Sequence, residues 1–353
     1  MDNNVRKIIE SALLAPSGEN CQPWKFIIDG NEIVLVNLPE RDQSLYSWGQ
    51  RASYMANGAA IENLVIAASN FSYSAKVSLF PNPNDSNVVA KITLEPGSVT
   101  KDSLYEFLAL RCTNRKPYKK MELSENQVAE LNSSAKNPKV KLLFTVDENN
   151  KKTLGVAGST NEQVMFSNEY LHQFFFSHIN WTKEEDDKKK IGFFIDTLEL
   201  PPPAKAGLRL FKNWKLTNFL NKLGLNKMIS KQNAAVNAKS SGFALLVISS
   251  KSPEDFVEAG RTLERLWLTV TKMNLSLQPL TGVLFFMYRI LANDTGKFTK
   301  EHVRAIQKAY SNITKIFGVK NEETVAFMCR IGDGGEPSAR SSRFSFEEAV
   351  EIK

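Results

Sequence analysis

Two stretches far apart in the chain carry the same residues at the same offsets, and this limits the folds open to it. Gly58-Ala59-Ala60-Ile61-Glu62-Asn63-Leu64-Val65-Ile66 can be laid on Gly260-Arg261-Thr262-Leu263-Glu264-Arg265-Leu266-Trp267-Leu268. Glycine, a branched aliphatic, glutamate, leucine and a second aliphatic recur in register. Each stretch lies in a long apolar helical run, Ala52 to Ser69 and Pro253 to Met273. The surrounding order repeats as well. In the first part a helix at Val5 to Leu14 precedes strands at Trp24 to Ile28 and Glu32 to Leu38, joined by the hairpin turn Asp29-Gly30-Asn31. Strands at Ala75 to Phe80 and Val88 to Leu94 follow the long helix. In the second part, helices are expected at Leu104 to Leu110 and after Ser124, whose Gln127 makes a capping box. Strands are expected at Val140 to Val146, Phe243 to Ser249 and Ala326 to Ile331. The reading is an α+β chain of two fused copies of one unit, an intramolecular pseudo-dimer, each copy a mainly antiparallel sheet flanked by helices. The first copy is assigned 1–100 and the second 101–353, with a lid-like insertion around 150–240.

Composition narrows the class. The chain has 353 residues, enough for two domains, and 42% hydrophobic residues, enough for a sizeable core. A net charge of +7 favours anionic ligands. The basic residues are dispersed, and neither zinc-finger spacing nor an RNP-like motif occurs, which argues against nucleic acid. Three unpaired-looking cysteines, Cys21, Cys112 and Cys329, fit a reducing compartment, and a polar start argues against a signal peptide, so the cytoplasm is expected. The apolar stretch from Val283 to Ala292 is too short to span a bilayer. With three histidines and no HxH or HExxH spacing, no metal site is expected.

Two further segments carry chemistry. Ala15-Pro16-Ser17-Gly18-Glu19-Asn20-Cys21-Gln22-Pro23-Trp24 is a polar turn segment between a helix and a strand. Arg111-Cys112-Thr113-Asn114-Arg115 alternates guanidinium, hydroxyl and guanidinium, groups suited to holding one phosphate. A Pro279-Leu280-Thr281-Gly282 turn follows the second long helix, and Arg340 and Arg343 follow the last strand.

These pieces together resemble the nitroreductase family of flavin enzymes, and above all its single-chain, two-domain branch, which includes dormancy-associated bacterial proteins. The resemblance implies one FMN held between the copies. Arg111, Cys112, Thr113 and Arg115, aided by Arg340 or Arg343, would hold the phosphate. Pro16, Ser17, Gly18, Asn20 and Gln22 would approach the ring and ribityl chain, and Pro279, Leu280, Thr281 and Gly282 would supply backbone contacts to the ring. No side chain is assigned as catalytic, the chemistry being the flavin's. Each copy lacks the pieces the other retains, so the fused chain completes one site, with the monomer acting as the pseudo-dimer and higher oligomers left open. The implied activity is hydride transfer from NAD(P)H through flavin N5 to a small acceptor such as a nitroaromatic or quinone. The alternatives are a flavin-sequestering protein without turnover, and a flavin-less fold used for membrane or partner binding. The basic amphipathic stretch Lys205 to Lys231 reads as a lid rather than a membrane-surface helix.

Overall fold

The computed structural model describes residues 2–353. Helix α1 (Asn3–Ala12) is capped by the Asp2 carboxylate, which accepts from the Asn4 amide. Strands β1 (Trp24–Asp29) and β2 (Glu32–Asn37) form the expected hairpin, with Gly30 at φ +57°, the left-handed backbone that a two-residue loop requires. Helix α2 (Arg51–Asn70), β3 (Tyr73–Leu79) and β4 (Val88–Pro96) complete the first half. The second half runs α3 (Glu125–Ser134), β5 (Val140–Thr145), α4 (Glu148–Ser167), α5 (Glu169–Ser177), β6 (Ile179–Asn180), α6 (Lys183–Lys189) and β7 (Phe193–Phe194). It continues with α7 (Pro202–Phe211), α8 (Trp214–Lys222), α9 (Leu225–Asn237), β8 (Gly242–Ile248), α10 (Pro253–Lys272) and β9 (Ser276–Pro279). The last elements are α11 (Gly282–Leu291), α12 (Lys300–Phe317), β10 (Thr324–Gly332), α13 (Phe346–Ala349) and β11 (Val350–Ile352).

The main sheets are ordered β11-β1-β2-β4-β3 and β5-β8-β10-β9. The first is antiparallel except where β11, the C-terminal strand, joins β1 in parallel. The polypeptide end thus returns to the sheet of the first half. In the second sheet β8 is buried on both faces, as its unbroken apolar run requires. Ala244, Leu246 and Ile248 enter a core shared with α1, α2 and α10, while Phe243, Leu245 and Val247 enter a second core with α4, α11 and α12.

Helices α2 and α10 cross at the centre of the larger core, and glycine sets how closely they approach. A Cβ on Gly58 would lie 2.0 Å from the Val257 carbonyl oxygen, and one on Gly260 would lie 2.0 Å from that of Met55. The contact is reciprocal, since each glycine meets the residue three positions before the other. The two stretches that align in the sequence are therefore the two that touch.

Three expectations are corrected. Residues 104–110 form only a 3-10 turn at Tyr105–Phe107, because the chain leaves at Arg111 to bring Thr113 beside Leu277. Pro279 to Gly282 is not a free turn but the end of β9 and the start of α11. Within the stretch assigned as insertion, α4 is a core helix that carries Leu154, Ala157 and Val164 into the second core.

Gly260→Ala should destabilise the protein by about 3 kcal/mol, because the methyl would overpack the crossing. That outweighs the roughly 1 kcal/mol that alanine gains over glycine in a helix. Urea unfolding checks it, and Gly58→Ala should behave alike.

Candidate functional site

The residues from Pro16 to Gln22 follow the end of α1 in an unusual backbone. Glu19, Asn20 and Gln22 have φ of 45°, 55° and 47°, the left-handed region that non-glycine residues seldom enter and that costs about 1–3 kcal/mol each. Only Asn20 tolerates it readily. The Ser17 hydroxyl accepts from the Gln22 amide at 2.9 Å and holds the loop. Two covering segments secure it from outside. Asn20 donates to the carbonyls of Lys190 and Ser342, both at 2.9 Å, and its Oδ1 accepts from Arg343 at 2.6 Å. Gln22 is buried; it donates to the Lys190 carbonyl at 2.7 Å and accepts from the Phe344 amide at 2.9 Å.

The basic segment reaches the same place from the other side. Arg111 is buried; it donates to the Leu14 carbonyl at 2.7 Å, stacks over the Trp267 ring at 4.8 Å, and brings Nε to 3.1 Å from Glu264 Oε1. Asn63, with its amide oriented to satisfy both ends, donates to the same carboxylate at 2.9 Å. Burial pushes the Glu264 carboxyl up to about 7, against the pull of Arg111. Arg343 is pushed down to about 10, first by burial and then by repulsion from Arg111. The Cys112 thiol contacts the carbonyls of Thr113 and Ala339, and Thr113 lies beside Leu277. Arg115 donates to the Thr197 carbonyl at 3.0 Å.

Other candidates sit differently. Arg340 is exposed and spends its guanidinium on the carbonyls of Ala109, Leu110 and Arg111, closing the end of that turn. It is Arg343 that faces Asn20. Pro279 pairs with Cys329, Leu280 donates its amide to the Met328 carbonyl and packs on Gly158, and Thr281 occupies the N-cap of α11 without a side-chain cap. Gly282 is closely covered, since a Cβ there would lie 2.1 Å from Asn161 Oδ1 and 3.1 Å from the Tyr46 ring. Pro16 and Gly18 border the loop without side-chain bonds of their own.

Sequence reasoning missed several residues here. Glu19, Tyr46 and Glu162, like the expected Arg115 and Arg343, are each ringed by protein yet keep some accessible surface, as groups do when they face an internal cleft. Tyr46 is held far into its neutral form by burial and by the nearby Glu19 and Glu162. Burial also raises Glu162, while burial and the Asp42 charge push Glu19 up to about 8. Among the described residues Asn161 Oδ1, Glu162 Oε2 and Glu264 Oε2 have no hydrogen-bond partner, and Arg111 Nε meets Glu264 as an ion pair without hydrogen-bond geometry. Arg343 thus lies near Arg111 and Glu264 in the cleft, while Arg115 lies nearer Glu162. Glu19 lies inside the quoted motif and was open to notice; Tyr46, Asn161 and Glu162 belong to no pattern.

No family model matches the chain. It is 20% identical over 337 residues to the Uncharacterized protein MT1398 of Mycobacterium tuberculosis (strain CDC 1551 / Oshkosh), covering 95% of this chain and 46% of that protein. Over 119 residues it is 28% identical to the Putative NAD(P)H nitroreductase acg of M. tuberculosis (strain ATCC 25618 / H37Rv), covering 32% of this chain and 35% of that protein. The chain spans less than half the length of these curated relatives. Among solved structures, the FMN- and NADPH-dependent nitroreductase NfnB from sphigopyxis sp. strain HMH aligns at 11% identity with a TM-score of 0.41, covering 71% of this chain and 99% of that one. A nitroreductase with bound FMN from Bacteroides fragilis NCTC 9343 aligns at 8% identity and 0.38, covering 72% and 100%. The matches to proteins named putative NAD(P)H nitroreductases thus cover about a third of this chain or less.

A carboxyl group raised on folding stabilises the protein below its ordinary range and ceases to as pH climbs through its folded value. Wild-type stability should therefore fall relative to Glu19→Gln between about pH 4.5 and pH 8. Parallel urea midpoints for the two proteins across that window would contradict the buried setting of Glu19.

Proposed function

We propose that this chain is an FMN-dependent oxidoreductase of the nitroreductase type, with one flavin site per chain formed between two fused copies of an α+β unit. The observation that carries the reading is the meeting of Pro16–Gln22, Arg111–Arg115 and Arg343 around one cleft, although they come from three separated parts of the sequence. The reciprocal Gly58 and Gly260 contact and the return of β11 to the first sheet support the two-copy architecture. The donor set fits a phosphate: Arg111 and Arg343 lie close enough to repel each other, Arg115 follows on the same segment, and among the described residues Glu264 is the acidic group that pairs with Arg111. Buried guanidiniums discriminate strongly for phosphate through charge-assisted, bidentate geometry.

In this reading Arg111, Arg115 and Arg343 hold the phosphate, with the Thr113 hydroxyl as a further donor and Cys112 as a small packing residue. Arg340 keeps the Ala109–Arg111 turn in place and takes no part in binding. Pro16, Ser17, Gly18, Asn20 and Gln22 shape the wall opposite Pro279–Gly282. When bound, FMN would accept hydride from NAD(P)H and pass it to an acceptor such as a nitroaromatic or quinone. Glu19, held near neutrality, would be able to donate a proton to a group in the cleft, and the covering segments exclude water. Arg115 spends Nη1 on the Thr197 carbonyl and keeps its other N–H groups for the ligand.

A second reading has one observation in its favour. The cover is tied down by Lys190–Glu348 at 2.6 Å, by Asp186 accepting from the Ser342 amide at 2.8 Å, and by the bonds from Asn20 and Gln22. A cover this well fastened would suit a protein that holds flavin without turning it over. Anaerobic NADPH separates the two readings, since a reductase bleaches the bound flavin and a holder keeps its colour.

Arg343→Ala should weaken FMN binding by about tenfold or more, as one charge-assisted hydrogen bond contributes roughly 1.5–3 kcal/mol. Arg340→Ala should leave it within about twofold, because the turn carbonyls it caps have modest net value. Equal losses in a fluorescence titration would contradict the phosphate assignment.

A further inference from the structure

Helix α8 is built inside out. Its inward side carries Thr217, which is fully buried and donates to the Phe211 carbonyl at 2.7 Å, and Asn221, which donates to the Phe166 carbonyl at 2.6 Å. Trp214 closes that side against the His172 ring, 5.0 Å away. Polar groups therefore dock the helix, through bonds to carbonyls of α4 and α7. Its outward stripe is apolar, with Leu216, Phe219 and Leu223 at helical spacing; Phe219 is 59% exposed and Leu223 74%. A helix serving only the core would place these residues the other way round. Leu210 of α7, at 65% exposure, and Met228 of α9 add to the apolar surface of the same helical segment.

The charge around this stripe has one sign. From Leu200 to Pro253 the chain contains no Asp or Glu. Lys212, Lys215, Lys222, Lys227 and Lys231 are exposed, and none of them takes part in an ion pair among the described residues. Lys215 and Lys222 flank Phe219 on α8 itself. Large exposed apolar groups ringed by unpaired cations are complementary to a surface that is apolar beneath and anionic on top. A second copy of this chain would instead bring two cationic faces together, which the same charges oppose.

We propose that the α7–α9 segment is a membrane-surface docking face, on which Leu216, Phe219 and Leu223 enter the headgroup region of an anionic phospholipid bilayer and the surrounding lysines contact its phosphates. The chain lies on the surface without crossing it, and no helix among the described residues is long and apolar enough to span. This differs from the expectation drawn from the sequence, in which the basic stretch served as a lid. The bonds over the cleft come instead from Lys190, Thr197 and the tail near Ser342, which leaves α8 with no such duty. The inference does not depend on flavin binding.

The test is co-sedimentation of the full chain with vesicles of phosphatidylcholine alone or mixed with phosphatidylglycerol. Binding should appear with the mixed vesicles, be weak or absent with the neutral ones, and weaken as salt is raised. Each lysine contributes about fivefold near such a surface, so Lys212→Glu/Lys215→Glu/Lys222→Glu should lower the affinity by about a hundredfold or more. Phe219→Ser/Leu223→Ser alters only exposed positions and should also abolish sedimentation while urea unfolding stays unchanged. Equal binding to neutral and anionic vesicles, or binding untouched by either variant, would overturn the proposal. So would a dimer in sedimentation velocity that Phe219→Ser/Leu223→Ser dissolves, since the face would then belong to a second copy.

Discussion

The close crossing of α2 and α10 governs the rest of the molecule. With Gly58 and Gly260 each lying against a carbonyl of the other helix, the glutamates four residues further on are carried into the protein interior. Glu62 is answered within the crossing by Arg261 at 2.8 Å and Arg265 at 2.5 Å. At the equivalent position of the other helix, Glu264 is met by Asn63, and Ala59 and Asn63 align in the sequence with the two arginines that answer Glu62. It lacks a cation from the helix pair and takes one from Arg111. A buried carboxylate left unpaired is costly, so this asymmetry draws the Arg111–Arg115 segment into the interior. In that sense the glycine crossing builds the frame, and the unequal surroundings of the two glutamates bring Arg111 to it.

Strain at the same place is consistent with this picture. Three residues of one short loop in left-handed backbone would not persist unless neighbouring groups held them, and the holding groups are Lys190, Ser342, Phe344 and Arg343. None of these four is near the loop in sequence. Folding of the cleft therefore waits on long-range contacts, whereas the β1–β2 hairpin and the capping box of Ser124 form from local sequence alone.

This division explains what could be read beforehand. Regular elements with a clear period or a local signal were legible: α2, α10, the hairpin at Gly30 and the strand β8. The aligned glycines were legible as a pattern, and the structure gives their physical meaning as a contact. The run from Leu104 to Leu110 misled because its apolar spacing is helical, while the chain is turned away by the pairing of Thr113 with Leu277. Helix α4 went unread as core because polar residues such as Asn149, Asn150 and Asn161 dilute its apolar face. Glu19, Tyr46 and Glu162 gain their character only from being enclosed together, and a linear sequence holds no signal of enclosure. Between Arg340 and Arg343 the sequence offered no choice, since both follow the last strand at short range; the hydrogen bonds direct one to a turn and the other to the cleft.

The central claim is a single flavin site completed within one chain. The most direct test is the flavin content of the full chain after equilibration with excess FMN and removal of free ligand, read by visible absorbance against protein concentration. The account predicts one FMN per chain, at protein concentrations low enough to leave the chain monomeric. A colourless protein, or retention only in a dimer, would contradict it.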